Sequence, residues 1–394
     1  MFSSQKRFLS AYFTLSPSSL FARGSDAWKQ VFPFTSPHGA WTFSGRVALY
    51  CGLRQIQLRP ESTILVPSYF QGTEIDTLIA AGYKLRYYEI DNNFDVDLTD
   101  VERKLDSDVS ALYIIHYFGL PQRLGLISSF CQKKGIKLIE DCALSFLSKE
   151  GEVRLGSQGD IALFSIYKSV PLPHGGYVVT KNPVESPQLQ APPLYSTALQ
   201  TGDLVAQHIR GASADGILNR VWNRTQNLRR GIADKTVVSG TITLDQKTLG
   251  YSASKVASHL MRLVDPQFVI ERRRANFALL HSKLRHLSAL KIDTLPQGAC
   301  PLFYPIIVDD KPRFRANLLN RGVGSVNLWS QPHPASPCEA TTQVTKWRST
   351  ILELPIHQQL DGNDVERVAH EVLNLTRRST VQRPPSKVTA SVAG

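Results

Sequence analysis

A lysine between two apolar runs is the residue of this sequence best placed for covalent chemistry. Lys168 lies in the stretch FSIYKSVPLPHGG, residues 164–176, which follows the apolar run 160–165 and leads into a second run, 177–180. This pattern predicts a strand, a loop and a second strand. An ammonium group is costly to desolvate unless it is paired or used, so we interpret Lys168 as a candidate Schiff-base lysine. The alternative is an ordinary solvated loop lysine.

A carboxylate occupies a comparable position earlier in the chain. Asp141 directly follows the sequence GIKLIE, residues 135–140, which predicts a buried strand. Lys168 also lies just beyond the carboxyl end of a predicted strand. Because ligands of open α/β sheets gather at the carboxyl ends of the strands, we expect Asp141 and Lys168 to belong to one site.

Phosphate donors and a ring-covering side chain are also available. Ser44 precedes a predicted buried helix that runs to about Gln57, and the N–H groups at such a helix start attract phosphate. The Ser44-Gly45 step and Ser165 are therefore candidate phosphate donors. Phe70 or Tyr69, after the predicted strand 64–66, is suited to cover the face of a flat ring.

These residue types match what pyridoxal phosphate requires of a protein. The cofactor needs a lysine that binds its aldehyde, a carboxylate that keeps its pyridine nitrogen protonated, donors for its phosphate and a side chain against its ring. Each residue type is common, but all of them fall at strand ends or helix starts. The sequence therefore predicts pyridoxal 5'-phosphate as the cofactor.

The elements that must position these residues alternate between strands and helices. Strands are predicted at 64–66, 84–90, 111–116 and 135–140, with helices between them. This alternation predicts an α/β fold with a mainly parallel sheet flanked by helices. Later in the chain, helices at 266–287, 313–321 and 364–375 and a strand at 304–308 predict a smaller α+β unit.

A chain of 394 residues exceeds the usual size of a single hydrophobic core. We predict an N-terminal arm at 1–40, a large cofactor-binding domain at 41–255, a small C-terminal domain at 256–376 and a disordered tail at 377–394. Within the large domain, 182–254 is rich in proline and polar residues and is predicted to be partly helical. The first 25 residues superficially resemble a transit peptide, but they lack the uninterrupted apolar core of a secretory signal.

Composition limits the classes of partner and compartment. The net charge of +12 is spread along the chain without aromatic interleaving, which favours an anionic small substrate over nucleic acid. No apolar stretch is long enough to span a membrane. The five cysteines have no metal-ligand spacing, so we expect no metal, and reduced thiols in a cytoplasmic protein. They are Cys51, Cys131, Cys142, Cys300 and Cys338.

Several stretches together resemble a known family. They are SGRVAL (44–49), ILVPSYFQGTEID (64–76), IIHYFGLP (114–121), LIEDCALS (138–145) and the segment 156–176. The resemblance is to the pyridoxal-phosphate-dependent sugar aminotransferases of the DegT/StrS type, within fold type I. It runs from about Ser44 to Thr180 and continues more faintly through ERRRANFALL, PLFYPIIV and LELPIHQQL.

The resemblance implies roles for individual residues. Lys168 would bind the cofactor aldehyde, Asp141 would pair with the pyridine nitrogen, and Phe70 would stack on the ring. Ser165 and the backbone of Gly45 and Arg46 would hold the phosphate. His116 falls in a family block, but we interpret it as a structural histidine. The presence of Lys168 rather than histidine argues against the sugar dehydratases of the family.

Three departures indicate a divergent subgroup. Leu144 stands where the family usually has Gln or His, and His174 stands where it usually has an acid before the double glycine. The spacing from Ser165 to Lys168 is also shorter than usual. An altered substrate or a loss of activity would each account for these changes.

The leading hypothesis is an aminotransferase that moves an amino group from an amino acid, with glutamate expected, to a keto group of a nucleotide-linked sugar. Polysaccharide or glycoconjugate biosynthesis would be the context, and the resemblance implies a homodimer. One alternative is a pyridoxal phosphate enzyme that acts on an amino acid or another carbonyl compound. Another is a catalytically inactive binding protein with the same fold.

Overall fold

A seven-stranded sheet forms the centre of the computed structural model, which describes residues 7–56, 58–70, 73–182, 188–212, 245–336 and 342–381. The strand order in this sheet is β1-β9-β8-β5-β4-β2-β3. The sheet strands are β1 (Gly39–Thr42), β2 (Thr63–Pro67), β3 (Lys84–Tyr88), β4 (Val109–Ile115), β5 (Lys137–Asp141), β8 (Ile161–Phe164) and β9 (Gly176–Thr180). A short hairpin, β6 (Lys149–Glu150) and β7 (Val153–Arg154), lies between β5 and β8.

Five neighbouring strands of the sheet, β3, β2, β4, β5 and β8, run parallel to one another. Strand β9 returns antiparallel to β8, and β1 is antiparallel to β9. The central strands are buried on both faces, which accounts for their nearly continuous apolar sequences. The mainly parallel α/β sheet predicted from the alternation of elements is thus confirmed.

Helices connect the parallel strands and build the C-terminal half. They are α1 (Gly45–Leu53), α2 (Thr73–Ala80), α3 (Leu98–Arg103), α4 (Leu124–Lys134), α5 (Leu194–Ala212), α6 (Lys255–Met261), α7 (Pro266–Leu284), α8 (Lys311–Asn320), α9 (Thr342–Thr350) and α10 (Gly362–Val381). Short 3-10 helices lie at Pro17–Leu20, Ala27–Gln30, Tyr117–Gly119, Ile166–Lys168, Gln246–Gly250 and Arg285–Leu287.

Local sequence explains several helix boundaries. Asp97 precedes α3 and accepts hydrogen bonds from the backbone N–H groups of Thr99 and Asp100, as a good N-cap does. Gly135 ends α4 with a φ of 68°, a conformation that costs glycine little. Helix α1 is buried on nearly all sides, as predicted, although it ends at Leu53 rather than near Gln57.

A second sheet lies in the C-terminal half. Strands β10 (Phe303–Ile307) and β11 (Ile351–Pro355) pair antiparallel, helices α7, α8 and α9 contact them, and α10 packs on α7 and α8. The buried apolar side chains of both halves form one large cluster, and a smaller cluster joins Leu144 to Leu302, Phe303 and Val326. The division at residue 255 stays a prediction.

The arm predicted at 1–40 packs against the C-terminal half. The N–H group of Leu9 donates to Gly322 O at 2.8 Å, and the N–H group of Gly324 donates back to Leu9 O at 2.7 Å. Farther along, Thr14 exchanges two hydrogen bonds with the side-chain amide of Gln359. These bonds hold the arm to the body of the molecule from residue 9 to residue 14.

Three expectations concern segments near or outside the described ranges. Helix α10 continues to Val381, four residues beyond Arg377, where the tail was predicted to start, and the rest of that tail lies outside the described residues. The partly helical segment 182–254 contains α5, but 213–244 lies outside them, as does Cys338. The four cysteines within the described ranges are buried free thiols. No helix in the described ranges has the length and apolar character needed to cross a membrane.

Candidate active site

The site residues predicted from the sequence gather at one edge of the large sheet. Strands β2, β4, β5 and β8 are parallel, so their carboxyl ends meet at this edge. Phe70 follows β2, Asp141 ends β5, and Ser165 and Lys168 follow β8. Strand β9 starts at the same edge, where a Cβ on Gly176 would lie 2.2 Å from the carbonyl of Ser44. The start of α1 is thereby packed against the lysine loop.

Lys168 ends the 3-10 turn that follows β8. Its backbone N–H donates to Ser165 O at 3.0 Å, and the side chain is only partly exposed. Burial by itself lowers the pKa of Lys168, but Tyr167, Glu74 and Asp141 outweigh that effect and raise the pKa above its ordinary value, while Arg46 opposes them. Lys168 is therefore a partly buried amine whose charge is favoured by nearby acidic groups, rather than a solvated loop lysine.

Asp141 is buried and held by two hydrogen bonds. Its Oδ2 accepts from the hydroxyl of Tyr113 at 2.7 Å, and its Oδ1 accepts from the N–H of Ala143 at 2.8 Å. Burial and the nearby Glu74 raise the pKa of Asp141 to about 6, whereas Lys168 and the two hydrogen bonds lower it. The mutual influence of Asp141 and Lys168 shows that the fold brings the two predicted residues together.

The candidate phosphate donors also meet. A Cβ on Gly45 would lie 2.2 Å from Ser165 Oγ, so only glycine permits this approach of α1 to the loop after β8. Ser44 is the N-cap residue of α1, but its side chain makes no capping hydrogen bond. The first N–H groups of a helix have no partner within the helix and attract anions. Gly45, Arg46 and Ser165 thus form a cradle suited to a phosphate.

The structure separates the two candidate ring-covering residues. The Phe70 ring lies 5.1 Å from the ring of Tyr113, whose hydroxyl holds Asp141. Tyr69 instead stacks on Tyr117 with ring centroids 5.8 Å apart and contacts Trp329 and Trp347. Of the two, Phe70 is the one placed on the Asp141 side.

A buried arginine fixes this aromatic loop. Arg348, on α9, donates through Nη2 to Phe70 O at 2.8 Å and to Ser68 O at 3.3 Å. Through Nη1 it donates to Trp329 O at 2.9 Å, and its guanidinium lies over the ring of Tyr69. Arg348 therefore ties the loop after β2 to the C-terminal half.

A compact cluster of His116, Glu140 and Cys142 lies on the other side of β5. Its possible ligand atoms are within 4.8 Å of one another. However, the Glu140 carboxylate already accepts hydrogen bonds from His116 Nε2 and from the N–H groups of Gly156, Gln158 and Gly159. His116 Nδ1 accepts from the N–H of Gln122, so the ring is neutral and donates through Nε2. This cluster is structural, which agrees with the interpretation of His116.

Two of the three departures from the family pattern, Leu144 and His174, have packing roles. Leu144 is buried among Leu302, Phe303 and Val326 of the C-terminal half. His174 stacks on Phe43 with ring centroids 4.6 Å apart, and its Nε2 accepts from the N–H of Ser254. Burial lowers the pKa of His174 to about 4, so the ring is neutral near pH 7.

Sequence reasoning missed three residues that shape the site: Tyr113, Glu74 and Arg348. Tyr113 could have been found, because it lies two residues before Ile115, the parallel partner of Asp141, and so shares its face. Glu74 acts on Tyr113, Asp141 and Lys168. Glu74 lies in the stretch 64–76 singled out above, but its approach to these groups and that of Arg348 to the loop after β2 depend on tertiary packing, which left no local signal in the sequence.

The fold and this site define a fold type I aminotransferase of the pyridoxal-phosphate-dependent class. The structure is similar to PseC of Helicobacter pylori, an aminotransferase involved in the biosynthesis of pseudoaminic acid, with a TM-score of 0.64 and 14% identity over 95% of this chain and all of that chain. It is also similar to the PLP form of the putative sugar aminotransferase Spr1654 of Streptococcus pneumoniae, with a TM-score of 0.61 and 15% identity over 94% and 93% of the two chains.

Residues 34–373 match the DegT/DnrJ/EryC1/StrS aminotransferase family, and the chain belongs to it. The members of this family depend on pyridoxal phosphate. A Saccharopolyspora spinosa relative, dTDP-4-dehydro-2,3,6-trideoxy-D-glucose 4-aminotransferase, is 24% identical over 87% of this chain and 85% of its own length. GDP-perosamine synthase of Vibrio cholerae is 25% identical over 37% and 41% of the two chains. The predicted enzyme class is confirmed.

Proposed function

We propose that this aminotransferase binds pyridoxal 5'-phosphate at the strand-end site and uses Lys168 as its catalytic residue. The observation that carries the proposal is that Asp141 ends β5 and Lys168 follows the neighbouring parallel strand β8 at the same edge of the sheet. Each of the two groups also favours the charged form of the other. The cradle of Gly45 and Ser165, which a Cβ would fill, fits the phosphate. The proposed cofactor-binding residues are Lys168, Asp141, Ser165, Gly45, Arg46 and Phe70.

Pyridoxal phosphate supplies an electron sink through which an amino group passes between carbonyl compounds. Asp141 is held by Tyr113 and Ala143, and with a pKa of about 6 it is ionised near pH 7, ready to pair with a protonated ring nitrogen. Lys168 Nζ provides the nucleophile and moves protons at the reacting carbon. Phe70, on the Asp141 side of the site, would cover one face of the ring.

The proposed substrates are an amino acid donor, with glutamate expected, and a keto-sugar linked to a nucleotide. The printed activities of the relatives, which concern dTDP- and GDP-linked sugars, support this choice of acceptor. The net charge of +12 supports it independently, because a cationic protein attracts a diphosphate. A homodimer in the cytoplasm, acting in polysaccharide or glycoconjugate biosynthesis, completes the proposal.

The decisive experiment follows the visible absorption band that forms when the protein receives pyridoxal phosphate. We expect borohydride to fix the cofactor on Lys168, as peptide mass analysis would locate, and Lys168→Ala to abolish both the band and transamination. Lys181→Ala, which changes an exposed lysine just beyond β9, is the matched control and leaves both intact. A band that persists unchanged in Lys168→Ala contradicts the proposal.

Half-reactions then separate the substrate classes. Protein in the amine-carrying form is mixed with keto-sugar nucleotides or with keto acids, and the return of the original absorption is followed. We expect a keto-sugar nucleotide to discharge the amine. Discharge by keto acids alone would show that the acceptor is not a sugar.

A further inference from the structure

Two side chains of the C-terminal half hold the turn that carries Lys168. Arg273, on α7, donates through Nη2 to Ser169 O at 2.6 Å. Gln358, just after β11, donates through Nε2 to the same carbonyl at 3.2 Å. Arg273 also donates through Nε and Nη2 to Gln358 Oε1, at 3.1 and 3.0 Å. The carbonyl next to Lys168 is thus held by a two-residue brace.

Arg273 is an unusual residue to bury for stability alone. Its side chain is 1% exposed, and within the described ranges no carboxylate forms an ion pair with it. The thiol of Cys300 also contacts the guanidinium, and burial raises the pKa of that thiol. Desolvating a guanidinium without an anionic partner is unfavourable, and hydrogen bonds to a carbonyl, an amide and a thiol recover only part of that cost. Such a cost is typical of a group that fixes a functional geometry.

Apart from the core packing of Ile166 and Val170, the turn is held by local backbone bonds. Lys168 donates to Ser165 O, Ser169 and Val170 donate to Ile166 O, and Tyr167 donates to Gly175 O. No strand ladder passes through Lys168 in the described structure. The brace is therefore the contact that ties this turn to α7 and to the segment after β11.

We propose that Arg273, supported by Gln358, is a positioning residue that aims Lys168 Nζ at the carbonyl carbon it must attack. This inference rests on the proposed function of Lys168. Because reaction between held groups depends steeply on their alignment, loosening the turn slows the covalent step more than it weakens binding of the cofactor. Arg273 acts through the Ser169 carbonyl and needs no contact with the cofactor.

The next residue of α7 provides a matched control. Arg274 also donates to two backbone carbonyls, Pro296 O at 3.0 Å and Ala299 O at 2.6 Å, but these belong to a loop that does not carry Lys168. Arg273→Leu and Arg274→Leu therefore each remove an arginine that fixes backbone on the same helix. Only Arg273→Leu releases the lysine turn.

The rate at which the visible band forms after mixing with pyridoxal phosphate measures the covalent step. We expect Arg273→Leu to slow it at least about tenfold, Arg273→Lys to restore part of the rate, and Arg274→Leu to stay within about twofold of wild type. Noncovalent affinity is measured separately by equilibrium dialysis in a Lys168→Ala background. There, adding Arg273→Leu should change the dissociation constant less than about twofold.

The outcomes are distinguishable. If Arg273→Leu and Arg274→Leu behave alike, or if Arg273→Leu weakens noncovalent affinity as much as it slows the covalent step, the positioning role is wrong. If Arg273→Leu does not fold, Arg273→Lys and Gln358→Leu carry the test, and an unchanged rate in both would contradict the role. If wild-type protein forms no band, the proposed function is wrong, and the positioning role, which rests on it, is wrong too.

Discussion

Two neighbouring acids at the end of β5 face opposite sides of the sheet and have opposite surroundings. Glu140 points toward the loop 156–159, where three backbone N–H groups and His116 donate to its two oxygens. Asp141 points toward Tyr113 and Lys168, accepts two hydrogen bonds, and has its pKa raised to about 6 by burial and by Glu74. Alternation along the strand alone separates the two environments.

The hydrogen bonds and neighbouring charges of the two acids distinguish a structural carboxylate from one suited to a functional role. Four donors form hydrogen bonds with the Glu140 carboxylate, and these bonds stabilise the folded state. Asp141 accepts only two hydrogen bonds, and burial and Glu74 outweigh the favourable effect of Lys168, so its charge remains costly and a further cation would stabilise it. The first arrangement stabilises the fold, and the second is suited to a protonated ring nitrogen.

The largest effect is expected from removing the charge of Asp141. Asp141→Asn keeps the shape of the side chain, yet it removes the anion that would keep the ring nitrogen protonated. We expect transamination to fall about 100- to 1000-fold while the folded structure is retained. Single-turnover kinetics and circular dichroism would measure the two properties, and activity within tenfold of wild type would refute the assigned role.

The matching change on the other face should affect stability. Glu140→Gln places an amide N–H₂ among groups that are all donors, so at least one strong hydrogen bond is lost and a donor is left unpaired. We expect the free energy of unfolding to fall by about 3 kcal/mol or more.

Denaturant unfolding would measure this loss in Glu140→Gln. Glu102→Gln, which removes only a surface ion pair with Lys134, is the control and should shift the midpoint far less than Glu140→Gln does. Equal midpoints for the Glu140 and Glu102 variants would show that the four donors contribute little.

A smaller effect of the Asp141 carboxylate is expected in the pH dependence of stability. The pKa of Asp141 is raised from an ordinary value of 3.8 to about 6, so the folded protein binds this proton more tightly than the unfolded chain. The stability this contributes is fully present below about pH 3.8 and is lost as the pH rises through about 6. Cofactor-free Asp141→Asn should therefore be more stable than wild type at pH 7.5, by about 1–3 kcal/mol.

This advantage of Asp141→Asn should shrink as the pH falls toward 4. Thermal unfolding of both proteins between pH 4 and 7.5 would follow the difference. If the difference in unfolding free energy between the two proteins stays constant across this range, the pKa of Asp141 is not raised in the cofactor-free protein.

Sequence reasoning predicted the parts of the site that depend on local patterns. The apolar runs before Asp141 and Lys168 fixed their positions at strand ends, and the start of α1 followed from Ser44 and the apolar residues after it. The boundaries of strands and helices shifted by a few residues, because end residues depend on capping and neighbouring elements.

Contacts between distant segments were not predictable in the same way. Arg348 reaches the loop after β2 from 278 residues away, and Arg273 reaches Ser169 from 104 residues away. In a single sequence, an arginine that will hold a backbone carbonyl is indistinguishable from one that will face solvent. Only the packing of the C-terminal half on the sheet gives these residues their roles.

The sequence by itself therefore determined the class of fold and the strand-end positions of Lys168 and Asp141, and it predicted the cofactor, because these depend on periodicity and on residues at element ends. Tertiary structure decided which groups surround each acid, which of Tyr69 and Phe70 lies beside Tyr113, and how the lysine turn is held. These features arise where elements far apart in the chain come into contact, and a linear pattern does not record such contacts.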